Sequence, residues 1–193
     1  MKIVNMSVDE VAKNALSMAQ EGPFIGINIA DKQGVVYGNP ELVDLNEVDN
    51  RGLAKLFVSY GGGAIVFERG DLNIIAVIDG YSDFSKRCLE KIQEFCASKG
   101  LKGSEIVGND LVIKDDNQEM HKVCGIGSVW FGKKTLHLVH TSITINQDLI
   151  DKICIKKRLK LPVGLKDYLD VNAEDVLNYL EAHIDEFKYP LMA

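Results

Sequence analysis

The stretch that most constrains the fold is Lys55 to Ile78, KLFVSYGGGAIVFERGDLNIIAVI, where apolar runs flank three consecutive glycines, Gly61, Gly62 and Gly63. Glycine has no side chain to bury and loses the most conformational freedom on ordering. Three in a row therefore belong where the backbone turns sharply or passes close to another group. The AIVF and NIIAVI runs that follow are rich in β-branched residues and dense enough for buried strands. The expectation is a glycine loop held between strands, with N–H groups free to face an anion or polar ligand. Taken alone, the glycines also fit a plain tight turn.

A chain of 193 residues, 46% hydrophobic and 26% charged, suffices for one soluble domain with a real core. Its formal charge of −6 argues against non-specific nucleic-acid binding. The N-terminal MKIVNMSVDE has no signal-like apolar core, and no apolar run approaches a membrane span. Cys88, Cys96, Cys124 and Cys154 form no CxxC pair, which gives neither a zinc site nor a disulfide framework and points to a reducing cytoplasm.

Ser7 and Glu10 form a capping box ahead of Val8, Val11, Ala12, Ala15, Leu16 and Ala19 at helical spacing, and Gly22-Pro23 ends that helix. Phe24–Ala30 and Gly34–Gly38 read as strands, and Asn39–Arg51 as a loop with a helical turn. Ser82 is placed to cap a helix to Lys99, with Phe84, Cys88, Ile92, Phe95 and Cys96 on one face and Gly100 at C′. EIVGNDLVI, MHKVCGIGSVW and TLHLVHTSITI then read as three strand segments. A short helix starts at Asn146, the basic run KKRLK (156–160) reads as a solvated face, and Asn172–Phe187 reads as a last helix. The class is α+β, a central mixed or antiparallel sheet flanked by helices.

Taken singly, Asn109-Asp110 is a turn pair, and His140 fits a hydrogen-bonded core histidine as well as a ligand. Lys122 is harder to place in a core, because a strand lysine between apolar neighbours needs an anion if it is buried.

The order GGGA (61–64) with Asp71-Leu72-Asn73, then GNDL (108–111), then Lys122-x-x-Gly125, then His140 leading into Ile145-Asn146-x-Asp148-Leu149, resembles the catalytic domain of lipoate–protein ligases. That superfamily is shared with biotin ligases and octanoyltransferases, and the resemblance covers nearly the whole chain. It implies one catalytic domain over 1–193 without a C-terminal accessory domain, and hence a separate accessory subunit or action alone. The implied reaction joins lipoate or octanoate to ATP as an acyl-adenylate, then passes the acyl group to a lysine of an acceptor lipoyl domain. By the same resemblance Lys122 is the catalytic residue, and Gly61, Gly62, Gly63, Ala64 and His140 bind the acid. Asn73, Asn109, Asp110 and Gly125 fall on the nucleotide side, and Asp110 would orient magnesium or the incoming amine. Val66, Ile74 and Ala76 would line an acyl tunnel.

The chain departs from the family's pattern at several arginines. Val58, Ser59 and Tyr60 precede the glycines, Glu68-Arg69 replaces a histidine-aspartate pair, Asn39 stands in an arginine's place, and Ser128-Val129-Trp130 follow KxxG. Those losses bear on phosphate binding and so on ATP use. Three alternatives stay open: a transferase with a thioester on Cys154 or Cys124, biotin ligation, and a degenerate homologue that binds a lipoyl domain or small acid without chemistry.

Overall fold

The NIIAVI run becomes the centre of the molecule. In the computed structural model, which describes residues 2–5, 23–57, 63–80, 83–155 and 160–188, Leu72–Asp79 forms β6, buried on both faces except at Asp79. β6 lies in a sheet with β1 (Lys2–Asn5), β2 (Phe24–Ile29), β7 (Ser104–Val107), β8 (Asp110–Lys114), β9 (Met120–Phe131) and β10 (Lys134–Thr141), in the order β1-β2-β6-β10-β9-β8-β7. Only the β1–β2 pair on that path is parallel. A short β11 (Leu161–Pro162) runs parallel to the start of β9. A second sheet has the order β4 (Ala54–Phe57), β3 (Gly34–Tyr37), β5 (Ala64–Phe67).

Alternation along the strands sorts the side chains into layers. Ile74, Ala76 and Ile78 of β6 join the main core with Phe84, Cys88, Leu89, Ile92, Phe95 and Cys96 of α2 (Phe84–Ser98) and Val176 and Leu180 of α4 (Ala173–Ala182). On the other side of the large sheet, Val36, Phe67, Leu56, Ile65 and Leu138 pack between the two sheets. Val35, Tyr37 and Val66 face outward from the small sheet against α1 (Leu45–Asn50) and α3 (Gln147–Ile153). The helices start where polar side chains satisfy first-turn N–H groups. Asp44 caps α1, Asn146 caps α3, and Asn172 with Asp175 forms a reciprocal capping box on α4.

The α+β class and the mixed, mainly antiparallel sheet with flanking helices match the expectation. Several boundaries differ. EIVGNDLVI is a hairpin, because Gly108 takes φ +65 and turns β7 into β8. β10 stops at Thr141, since the Ile143 N–H turns to Asp71 instead of the ladder. The last helix breaks at His183 before α5 (Ile184–Lys188). Gly100, with φ +89, follows α2 as expected. The opening helix, Ser82, Gly61, Gly62 and residues 156–159 lie outside the described residues. No helix among the described residues is long and apolar enough to cross a membrane.

Candidate active site

One rung of the large sheet gathers most of the candidate residues. Asn28 of β2 pairs with Asn73 of β6, Asn73 with His140 of β10, His140 with Gly125 of β9, and Gly125 with Asp110 of β8. Directly opposed residues project to the same face. Here that face meets the small sheet, since Asn28 and Asn73 line an intersheet slot with Val36, Leu56, Phe67, Ile75 and Leu138. The slot has a cavity volume of about 10 Å³, about enough for one water. A longer guest enters only if Leu56 or Phe67 moves.

Lys122 reaches this rung through an irregularity. Leu111 pairs with Cys124 but Val112 pairs with Lys122, so Val123 is an extra residue in β9. The Lys122 Nζ lies 2.7 Å from Asp110 Oδ1. A Cβ added to Gly125 would sit 2.5 Å from Nζ and 2.6 Å from Cε of Lys122, and 3.2 Å from Asp110 Oδ1. The lysine thus lies flat across the glycine, which links the two ends of the KxxG pattern physically. In Gly125→Ala the tip of a flexible side chain can swing away, so the expected cost in stability is under about 1 kcal/mol. Thermal melts of the parent and the variant check it.

Asp110 carries a second ammonium. Lys160 Nζ donates to Asp110 Oδ2 at 2.8 Å and to the Val107 carbonyl at 3.0 Å. Burial pushes the Asp110 carboxyl up, but hydrogen bonds from Lys122 and Lys160 outweigh it and hold the group below the usual carboxylate range. Two ammonium groups on one carboxylate leave one net positive charge beside the slot. Lys160 closes the basic run read from sequence as a solvated face. Only the pairing of Leu161 with His121 and of Pro162 with Lys122 brings it here. With a lysine on each oxygen, Asp110 is the residue expected to orient magnesium or the incoming amine. Among the described residues, the group close enough to share an ion is Asp115, Glu119 and His121.

His140 is held neutral. Its Nδ1 lies 2.9 Å from Asn73 Oδ1, and its Nε2 lies 3.2 Å from Ser142 Oγ and 3.6 Å from Asp71 Oδ2. Burial and the Lys122 charge lower it to about 3. Asp71 is fully buried and accepts the N–H groups of Glu68 (2.8 Å), Ile143 (2.7 Å) and Thr144 (3.3 Å). Burial lifts its carboxyl to about 7 against the pull of those N–H groups. Asp71 thereby ties the start of β6 to the segment after β10, and positions Ser142 beside His140.

Other candidates fall elsewhere. Gly63 accepts the Gly38 N–H at 3.0 Å, and Ala64 packs toward the α1–α3 layer. Asn109 is exposed at the β7–β8 turn and lines a separate cleft of about 360 Å³ with Ser85, Ser128 and His137, on the helix-covered face. It is not brought into the rung. The tunnel lining expected from Val66, Ile74 and Ala76 is also corrected: those residues point away from the slot, Val66 toward α1 and α3 and the other two toward α2 and α4. The residues that do line it are their neighbours Phe67, Asn73 and Ile75. Cys124 alternates to the face opposite Gly125. Burial pushes its thiol up to about 12, although Thr141 donates to it.

The model of the lipoyl protein ligase A/B catalytic domain family matches residues 4–188. No curated protein matches the chain. Among solved structures, a bipartite lipoate protein ligase of Thermoplasma acidophilum, described with its E2 lipoyl domain, superposes with a TM-score of 0.73 at 17% identity, covering 96% of this chain and 82% of that one. A putative lipoate protein ligase from T. acidophilum with bound lipoic acid gives 0.70 at 17% identity, covering 96% and 85%. A lipoate-protein ligase A bound with ATP gives 0.70 at 17% identity, covering 96% and 84%. With a family model spanning nearly its whole length and this shared fold, the chain belongs to the lipoyl protein ligase A/B catalytic domain family.

Proposed function

We propose that the protein activates a lipoyl- or octanoyl-type acid with ATP and transfers the acyl group to a lysine of an acceptor lipoyl domain. The observation that carries this reading is the Lys122 ammonium, laid over Gly125, tethered to Asp110 and set beside a neutral His140, on the same rung as the Asn73 that lines an apolar slot. In the first step a carboxylate oxygen of the acid attacks the α-phosphorus of ATP and pyrophosphate leaves. In the second, the acceptor amine attacks the acyl carbonyl, loses a proton, and AMP leaves. Both steps build negative charge on oxygens at one junction, where a fixed ammonium is worth most. Lys160 supplies a second cation in a chain that lacks several of the family's arginines, and keeps Asp110 compensated while Lys122 turns to the substrate. The ATP-bound and lipoic-acid-bound relatives support these ligands, and the bipartite relative supports a separate accessory subunit. Asp110 would hold magnesium or orient the incoming amine, and no step is routed through the ion.

The test is mass spectrometry of a lipoyl domain after incubation with the protein, acid and ATP. The expected result is an acylated lysine that requires ATP. Absence of modification both with ATP and with preformed acyl-adenylate, from folded protein, would overturn the proposal. A thioester trapped on Cys154 would replace it with the transferase.

A further inference from the structure

Asn28 and Asn73 place two amides in a slot that is otherwise apolar. Both are 5% exposed, and both line it beside Val36, Leu56, Phe67, Ile75 and Leu138. Asn73 turns one end of its amide to His140, and its Nδ2 has no hydrogen-bond partner. A buried amide end without a partner is costly, and native interiors rarely keep one without a reason. A slot built only for an alkyl chain would be better lined with leucine at both positions.

We infer that Asn73, with Asn28 beside it, is a specificity determinant that reads the far end of the acid and favours a chain ending in a hydrogen-bonding heteroatom over a plain alkyl chain. The inference rests on the proposed reading that the slot takes the acid. The distance is right for an acid of about eight carbons. Lys122 lies over β9 and Asn73 projects from β6, two strand spacings away, or roughly 10 Å at about 4.8 Å per strand. An extended chain covers about 3.3–3.6 Å per three bonds, so roughly eight bonds separate a carboxylate at Lys122 from an atom at Asn73. An amide offers a donor or an acceptor by turning over. It can therefore meet a hydroxyl or a ring sulfur, but not a methyl group. A methyl end would displace the one water the slot can hold without replacing its hydrogen bonds.

The experiment compares octanoate, its terminally hydroxylated analogue and lipoate by calorimetry. The parent protein and Asn73→Leu are titrated with each, and Asn28→Val serves as a second variant that leaves the His140 contact in place. Circular dichroism establishes that each variant is folded. The expected result is that the parent binds the two heteroatom-bearing acids about tenfold or more tighter than octanoate, and that each folded variant loses or reverses that order. Equal binding of all three acids by the parent, or an order unchanged in a folded variant, would overturn the inference and leave the acid slot standing. Binding of none of them by the parent would remove the slot reading itself, and the inference with it.

Discussion

Lys122→Ala should lower kcat for acceptor acylation by roughly a hundred- to a thousandfold, the loss seen when one fixed donor to a developing oxyanion is removed. The fold should survive. The lysine side chain is 32% exposed, and its partner Asp110 keeps the hydrogen bond from Lys160. On the proposed reading the loss should appear equally with ATP plus free acid and with preformed acyl-adenylate, because one ammonium would serve the same junction in both half-reactions. Lys122→Arg should recover little, since a planar guanidinium cannot lie across Gly125 as a compact ammonium does. Cys124→Ser should keep activity, because that thiol sits in the helix-side core. Quantifying acylated lipoyl domain for the set checks each expectation. Parental activity in Lys122→Ala would deprive the proposed chemistry of its central residue.

Asp71→Ala should lower stability sharply. It leaves the buried N–H groups of Glu68 and Ile143 without acceptors, at about 1–3 kcal/mol each, and the Thr144 N–H loses its partner as well. A fall in Tm on the order of 10 °C is expected for a chain of this size. Asp71→Asn keeps one acceptor oxygen and should cost less, but it should change the pH profile. In the parent, the Asp71 carboxyl lies at about 7 in the folded state against 3.8 as its ordinary value. The folded state therefore holds more protons, and the stability from this group is present in full below about pH 4 and is lost as pH rises toward 7. His140 works in the opposite direction. Lowered from 6.5 to about 3, it contributes stability that is present above pH 6.5 and is lost as pH falls toward 3. His137, lowered by burial to about 4, adds to that second trend. Between pH 4 and 6.5 one carboxyl opposes two histidines, so the parent's stability still rises with pH but less steeply. In Asp71→Asn only the histidines remain, so Tm should climb about twice as steeply across that interval. Calorimetric melts at a series of pH values read the slope directly, and parallel profiles would exclude Asp71 as the source.

Much of the rung was legible in the sequence because its members interrupt apolar strands. Asn73 breaks the run to Ile78, His140 breaks TLHLVHTSITI, and Lys122 and Gly125 break MHKVCGIGSVW. Asn28 breaks FIGINI in the same way, but it belongs to none of the motifs that carry the family resemblance. Lys160 could not be read, because a lysine in a basic run carries no mark of the strand pairing that delivers it to Asp110. The tunnel residues were misassigned for a different reason. Alternation separates Ile74 and Ala76 from Asn73 and Ile75, but β6 is buried on both faces. When neither face is solvated, pattern alone does not tell which one meets the slot. Asn109 is set apart from the rung because the turn at Gly108 sends successive residues to different sides of the sheet.

The rung from Asn28 to Asp110 also has a consequence for how the chain matures. It runs across five strands, and while β8–β9 and β9–β10 are consecutive strands, the β2–β6 and β6–β10 pairings join segments far apart in sequence. Long-range pairings of this kind close late, because loop entropy is lost before they form. A slip of one residue in any of the four pairings would turn that strand's rung residue to the opposite face. Partly folded molecules can therefore hold α2 and much of the helix-side core yet carry only the β8–β9–β10 part of the site. Recovery of activity on refolding should lag the return of helix signal and then appear in one step, set by the last pair of strands to align.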